Sequence, residues 1–303
     1  MAATFDPLPN IQPEIENAAQ SGELVVFVGA GISRLINCPS WEGFADRVLD
    51  QLAPEGIDYY ELAQIKNIAD PKKRLSIAKL VAREKRIKID YARIFDVSLS
   101  SPNIYEYLNS FNSSFVTTNY EKYILPLSRK KDPEKDWRFY RREHLLGVNL
   151  DHNGNVIHIH GCVDEPESMI ITTRDYLEHY SSQEVQQFLQ YLFEKKTVLF
   201  LGYGLEEIEV LEYIFRRGGA SPPESQRIRR FILQGFFQAE WALFEKLRSY
   251  YRESFATELI GFPKDYRDYA QQMEIIKIWS SKLKFEHMAL ADEVLALEEE
   301  IRG

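Results

Sequence analysis

The chain has 303 residues, 45% of them hydrophobic and 27% charged, with 46 acidic against 37 basic side chains and a formal net charge of -9. A chain of this length and balance buries a large apolar core, which excludes a disordered or collagen-like polymer, and its acidic excess argues against a nucleic-acid coat, since phosphate binding is mainly electrostatic. Two cysteines, Cys38 and Cys162, are too few for a disulfide framework or a four-cysteine zinc site and fit a reducing compartment. No stretch approaches the roughly 20 consecutive apolar residues that cross a bilayer. The opening MAATFDPLPNIQPEIE has neither the basic region nor the apolar run of an export signal, so a cytoplasmic protein without a membrane span is expected.

The first strong element is the apolar run Leu24-Val25-Val26-Phe27-Val28, which predicts a buried parallel strand, and a Gly-rich turn, Gly29-Ala30-Gly31-Ile32-Ser33, follows it at once. Residues of about 42–112 lack strand signals. Trp41 to Leu49 and Leu75 to Ala82 have helical spacing, and the region is expected to be a helical insertion. Further strands are predicted at 115–118, 156–160, 169–171, 197–201, 230–233 and 257–260, with helices at 184–195 and 206–215 between them. Apolar strands alternating with helices predict an α/β fold with a parallel sheet covered by helices on both faces. A last helix would carry Leu290, Val294, Leu297 and Ile301 on one stripe. The segment 129–143, RKKDPEKDWRFYRRE, holds seven basic residues and is expected to be a solvated connector rather than a nucleic-acid surface.

Four clusters at strand ends carry the candidate chemistry. In Gly29-Ala30-Gly31-Ile32-Ser33 the glycines let backbone N–H groups approach a pyrophosphate at a helix start, or equally make a tight turn; the third Gly of a dinucleotide fingerprint is replaced by Arg34. In Thr117-Thr118-Asn119-Tyr120-Glu121 the Asn amide can hold a sugar hydroxyl or a water, or cap a turn. In His158-Ile159-His160-Gly161-Cys162 strand alternation puts both histidines and the cysteine on one face. The absence of a second ligand cluster argues against a metal, so His160 is expected to be a general base with His158 packed inside. In Leu201-Gly202-Tyr203-Gly204 another strand ends in a turn suited to a nucleotide or to entering a helix.

Taken in order, GAGIS, TTNYE, HIHG and LGYG resemble the Sir2 family, the NAD-consuming sirtuin fold, and within it the bacterial anti-phage defence branch. The resemblance covers about residues 22–263 and implies a Rossmann-like, sirtuin-like catalytic domain over 15–265. Residues 266–303 would then form a C-terminal helical segment that packs on the core or mediates assembly. It further implies that Gly29, Ala30, Gly31 and Ser33 line the NAD pyrophosphate, that Thr118 and Asn119 face the nicotinamide ribose, that His160 is the base, and that Gly202 and Tyr203 approach the adenosine half. Two departures bear on the reaction: the paired Cys-x-x-Cys zinc module of deacetylase sirtuins is missing, and RLINCPSW (34–41) stands where they carry Gly-Ile-Pro-Asp-Phe-Arg. Both favour plain NAD hydrolysis, with NAD as substrate and no metal. A non-catalytic sensor of NAD or an ADP-ribose derivative, and an ADP-ribosyltransferase or deacetylase, are the alternatives. About 40 residues after the resembling region leave no room for a sensor domain, so a separate regulator is expected: a helicase-type ATPase, an Argonaute-like protein or a nucleotide-processing enzyme, in a homo-oligomer or hetero-complex.

Overall fold

Long apolar runs become the strands of one sheet. The computed structural model describes residues 4–55, 57–126, 138–151, 153–205 and 228–284. Its strands are β1 (Leu24–Val28), β2 (Ser114–Thr117), β3 (Arg138–Phe139), β4 (Val156–His158), β5 (Thr197–Leu201), β6 (Arg230–Phe236) and β7 (Thr257–Pro263). They pair in parallel in the order β3-β4-β2-β1-β5-β6-β7. Apart from the two-residue edge strand β3, the chain steps outward from β1 to β2 and β4, then returns to β5 and steps the other way. This is the doubly wound order, whose direction reverses between β1 and β5.

Helices among the described residues are α1 (Pro13–Ser21), α2 (Ala30–Arg34), α3 (Trp41–Leu52), α4 (Tyr59–Lys66), α5 (Pro71–Lys85), α6 (Tyr91–Phe95), α7 (Ile104–Leu108), α8 (Thr173–Ser181), α9 (Gln183–Lys195), α10 (Trp241–Phe255) and α11 (Ala270–Leu283). Alternate residues of β1 feed opposite cores. Leu24, Val26 and Val28 pack with Ile15 of α1 and with Ile276 and Trp279 of α11. Val25 and Phe27 pack with Phe188, Leu189 and Leu192 of α9 and Phe244 of α10. With both faces covered, no alternation shows in the sequence of the central strands, and each fully buried Leu, Ile or Phe contributes about 1.5–3 kcal/mol.

The helical insertion builds a third core. In α3 the spacing of Phe44, Ala45, Val48, Leu49 and Leu52 makes one apolar stripe, and the Ser40 side chain accepts the Gly43 N–H to start the helix. That stripe packs on Leu75 and Ala78 of α5 and on Phe95. Arg74, almost fully buried, pairs with Asp46 at 2.6 Å and ties α5 to α3.

Three expectations are corrected. Residues 169–171 form no strand: both edges of β4 are already occupied by β2 and β3. Met169 and Ile171 instead close the insertion core, with the Ile170 N–H on the His160 carbonyl at 2.9 Å. The connector 129–143 contains β3, which pairs with Val156 and Ile157. The β4 ladder ends at His158, and the chain then turns through Gly161 at φ 80°, so His158, His160 and Cys162 do not share a strand face. Residues 129–137 of the connector, the expected helix 206–215 with Glu206 and Glu207, and the stripe Leu290, Val294, Leu297 and Ile301 lie outside the described residues.

Candidate functional site

The carboxyl ends of β1, β2, β4 and β5 open into one cavity of about 690 Å³ at the point where the strand order reverses, the usual place for a ligand in an open α/β sheet. The insertion and α8 wall it. Of the residues singled out in the sequence, Ala30, Ser33, Thr118, Asn119, His160 and Tyr203 line this cavity. Gly29, Gly31 and Gly202 do not: they are packed against one another behind the wall. The Gly29 N–H is bound to the Leu201 carbonyl at 2.9 Å and the Gly31 N–H to the Gly202 carbonyl at 2.8 Å, so neither is available to a phosphate. These glycines bring the β1 and β5 turns into contact.

Asn119 sits in the turn after β2, its N–H on Thr117 Oγ1 at 3.0 Å. Its Nδ2 donates toward Ser33 Oγ (2.7 Å), the Gly29 carbonyl (3.1 Å) and Glu121 Oε1 (3.3 Å). Both amide hydrogens are thereby spent, and the capacity left for a ligand is the Oδ1 acceptor, which suits a sugar hydroxyl or a water. Ser33 Oγ donates to Glu121 Oε1 at 2.7 Å, and the Tyr105 hydroxyl donates to the same oxygen. Glu121 is buried, and burial raises its carboxyl above the ordinary range against the pull of these donors. Its Oε2 has no partner among the described residues. A buried carboxylate oxygen without a donor carries a desolvation cost, which disfavours the charged form.

His160 reaches the cavity from the turn after β4. Its Nε2 is 2.7 Å from the Tyr180 hydroxyl, and its ring makes edge contacts with Tyr176, His179 and Tyr180. Burial first, then His179 and Lys72, hold its pKa well below 6.5, so the ring is neutral at physiological pH. Thr118 and Tyr203 join the β2 and β5 turns through a 2.6 Å hydroxyl contact, and the Tyr203 ring packs edge-on against Phe27. Cys38 also lines the cavity, but burial pushes its thiol up to about 12, which removes it as a thiolate nucleophile. Among the described residues no group of three or more His, Cys, Asp or Glu is placed to hold a metal ion, and no helix is long and apolar enough to cross a membrane.

His158 is fully buried, and its Nδ1 lies 3.0 Å from the Asn119 carbonyl, so a ring N–H at that nitrogen braces the turn that carries Asn119. Burial lowers its pKa from 6.5 to about 4. The unfolded ring therefore takes up a proton between these values that the folded ring refuses, and the stability His158 contributes is present above pH 6.5 and lost as the pH falls toward 4, on the order of 3 kcal/mol. His179, also lowered to about 4, and His160 act in the same sense, while Glu121 opposes them. We expect the unfolding free energy to fall steadily from pH 6.5 to 4 and to fall about 3 kcal/mol less in His158→Phe. An equally deep fall in that variant would place the proton uptake elsewhere.

The sequence reading missed Glu121, Tyr105, Tyr176, His179 and Tyr180. Glu121 was inside a noted motif, but its position four residues after the strand end carries no signal of its own, because its partners Ser33 and Tyr105 come from elsewhere in the chain. Tyr176 and Tyr180 lie four apart on α8 with His179 beside them, an aromatic stripe on one helix face.

A family model for a SIR2-like domain matches residues 113–252. Over 204 residues the chain is 24% identical to Defense-associated sirtuin 2 of Bacillus subtilis, which covers 65% of this chain and 19% of that protein. The chain thus spans about a fifth of the length of that curated relative. The residues that match the SIR2-like domain model include the TTNYE, HIHG and LGYG clusters, and the sheet brings the GAGIS turn, which lies before them, to the same site.

Proposed function

We propose that this chain hydrolyses NAD+ to nicotinamide and ADP-ribose, as the effector of a bacterial anti-phage system of the abortive-infection kind that a separate partner protein releases into action. The observation that carries the reading is the convergence of Asn119, Glu121 and a neutral His160 on one cavity at the switch point of a SIR2-like sheet. The similarity to a defence-associated sirtuin supports the biological setting.

In the proposed reaction the bond between nicotinamide nitrogen and ribose C1′ breaks, and its electron pair leaves with the nicotinamide. The sugar becomes oxocarbenium-like, a water oxygen bonds to C1′, and the water's proton passes to Nε2 of His160. Asn119 Oδ1 accepts from a ribose hydroxyl or from that water. Glu121 Oε1, fixed by Ser33 and Tyr105, accepts from Asn119 Nδ2 and so orients the amide whose Oδ1 faces the ligand. Trp41, Phe44 and Tyr176 give the cavity an apolar, water-poor wall that strengthens these contacts. A partner is part of the reading because unrestrained NAD loss would kill the host cell.

The test is nicotinamide release from NAD+ by the purified chain, alone and together with the product of the neighbouring gene. Release in either condition upholds the reading, and dependence on the neighbour identifies the regulator. Tight NAD binding with no release in both would replace it by a non-catalytic sensor.

A further inference from the structure

We infer that Tyr180 is a positioning residue for His160: its O–H donates to Nε2 and holds the imidazole in one plane, with the ring proton on Nδ1. The inference rests on the proposed NAD-cleaving reading for its consequence in catalysis, and on geometry for the contact itself.

The contact follows from how α8 is built. Thr172 and Asp175 close a capping box at its start, the Lys79 ammonium pairs with Asp175 at 3.3 Å, and the Thr173 N–H donates to Ser76 Oγ at 3.0 Å, so α8 is pinned to α5. On the pinned helix the Tyr180 ring stacks on Tyr176 with centroids 6.2 Å apart and stands edge-on to His179 at 5.0 Å. A tyrosine clamped on two sides presents its hydroxyl at a fixed point, and that point is 2.7 Å from His160 Nε2. The Thr118 main chain bonds the ring so as to favour its protonated form, as a carbonyl does when it accepts from a ring N–H. With Nε2 engaged by Tyr180, that N–H belongs to Nδ1. The Tyr176 hydroxyl, 3.5 Å from Nδ1, is too distant to compete.

The groups facing His160 are Lys72 from α5, Tyr176, His179 and Tyr180 from α8, and, in the same cavity, Glu121 and Tyr203 from the turns after β2 and β5. Of these, Tyr180 alone bonds the nitrogen that the proposed reaction uses. In the empty site its O–H occupies the Nε2 lone pair. On binding, the nucleophilic water takes that position and gives its proton to Nε2, while Tyr180 keeps its own proton. Tyr180 thus fixes which nitrogen is basic and where it points before the substrate arrives. A bond from a neutral hydroxyl to a neutral imidazole also stabilises the uncharged ring.

The test uses the full chain labelled with 15N-histidine, with His160→Ala to assign the His160 signals. In the unmodified, empty protein His160 is expected as the Nδ1–H tautomer; the Nε2–H tautomer would overturn the inference without any variant. In Tyr180→Phe, which keeps the ring and removes only the hydroxyl, the His160 titration midpoint is expected to rise by about one pH unit and the tautomers to mix. Its kcat for NAD cleavage should fall several-fold across the neutral range, with KM unchanged, because the mixed tautomers leave part of the rings with Nε2 already protonated. Tyr176→Phe is expected to leave the midpoint where it is. An unshifted midpoint and tautomer in Tyr180→Phe would overturn the inference. The spectra are recorded without NAD, so a chain that cleaves no NAD would remove the enzymatic reading while the titration still decides the role of Tyr180.

Discussion

Purified His160→Ala protein is expected to release nicotinamide from NAD+ at least about a hundredfold more slowly than the unaltered chain, with little change in NAD affinity. The expectation follows from the position and state of the ring. It projects from the turn after β4 into the cavity, and burial keeps it neutral where an exposed histidine would be partly protonated. Alanine removes the only neutral imidazole that both lines the cavity among the described residues and faces the Asn119 turn. His179 lies beside it but is not on the cavity wall, and cannot take over. The truncation removes the partner of the Tyr180 hydroxyl, a loss of about 1 kcal/mol that the fold can bear. Asn119→Ala is expected to lose activity to a similar degree but at a larger cost in stability, because Asn119 also supplies donors to Gly29, Ser33 and Glu121. Thermal melts separate the two effects. Turnover within a few-fold of normal in folded His160→Ala protein would sink the assignment of the base.

How much of this could be read beforehand differs from element to element. β1 and β5 were visible because a parallel strand covered on both faces is apolar, and runs such as Leu24-Val25-Val26-Phe27-Val28 before Gly29 and Val198-Leu199-Phe200-Leu201 before Gly202 have few other uses. The run 169–171 carried the same signal and is not a strand, because strand formation also requires a free edge, and whether β4 has one is decided by residues 30 positions away. β3 was hidden for the opposite reason. Its two residues sit in a charged segment and pair only because β4 exposes an edge there. At the site, Asn119 and His160 were legible from their position after strands. Glu121 was not, since its role depends on Ser33 and Tyr105, which reach it across 88 and 16 residues. The glycines were noticed for a phosphate-binding use, whereas their N–H groups are spent in joining two turns. Sequence spacing reveals that a backbone must pass closely by something, but not whether that something is a ligand or another loop.

That distinction sets the second large effect. Gly202→Ala is expected to destabilise the protein by at least about 4 kcal/mol, lowering the melting temperature by roughly 8 °C or more, and to abolish NAD binding with it. Gly202 has φ +69°, a conformation that costs any residue with a Cβ about 1 kcal/mol. The larger part is steric. A Cβ at this position would lie 2.5 Å from the Ile32 nitrogen and 2.8 Å from its Cγ1, and the first of these is backbone that cannot rotate away. Relief requires the β5 turn to retreat from α2, which breaks the bond from the Gly31 N–H to the Gly202 carbonyl and draws Tyr203 away from Thr118. Ser33, held in α2, would then lose its position beside Asn119 and Glu121. Gly43→Ala is the comparison that isolates the cause: its Cβ would meet Pro39 only at 3.4 Å inside α3, and alanine there is expected to stabilise by about 0.5 kcal/mol. If Gly202→Ala melted within a degree or two of the parent, the β1 and β5 turns would not be packed as described. The glycines would then be free for the phosphate-binding use that the bare sequence also allowed.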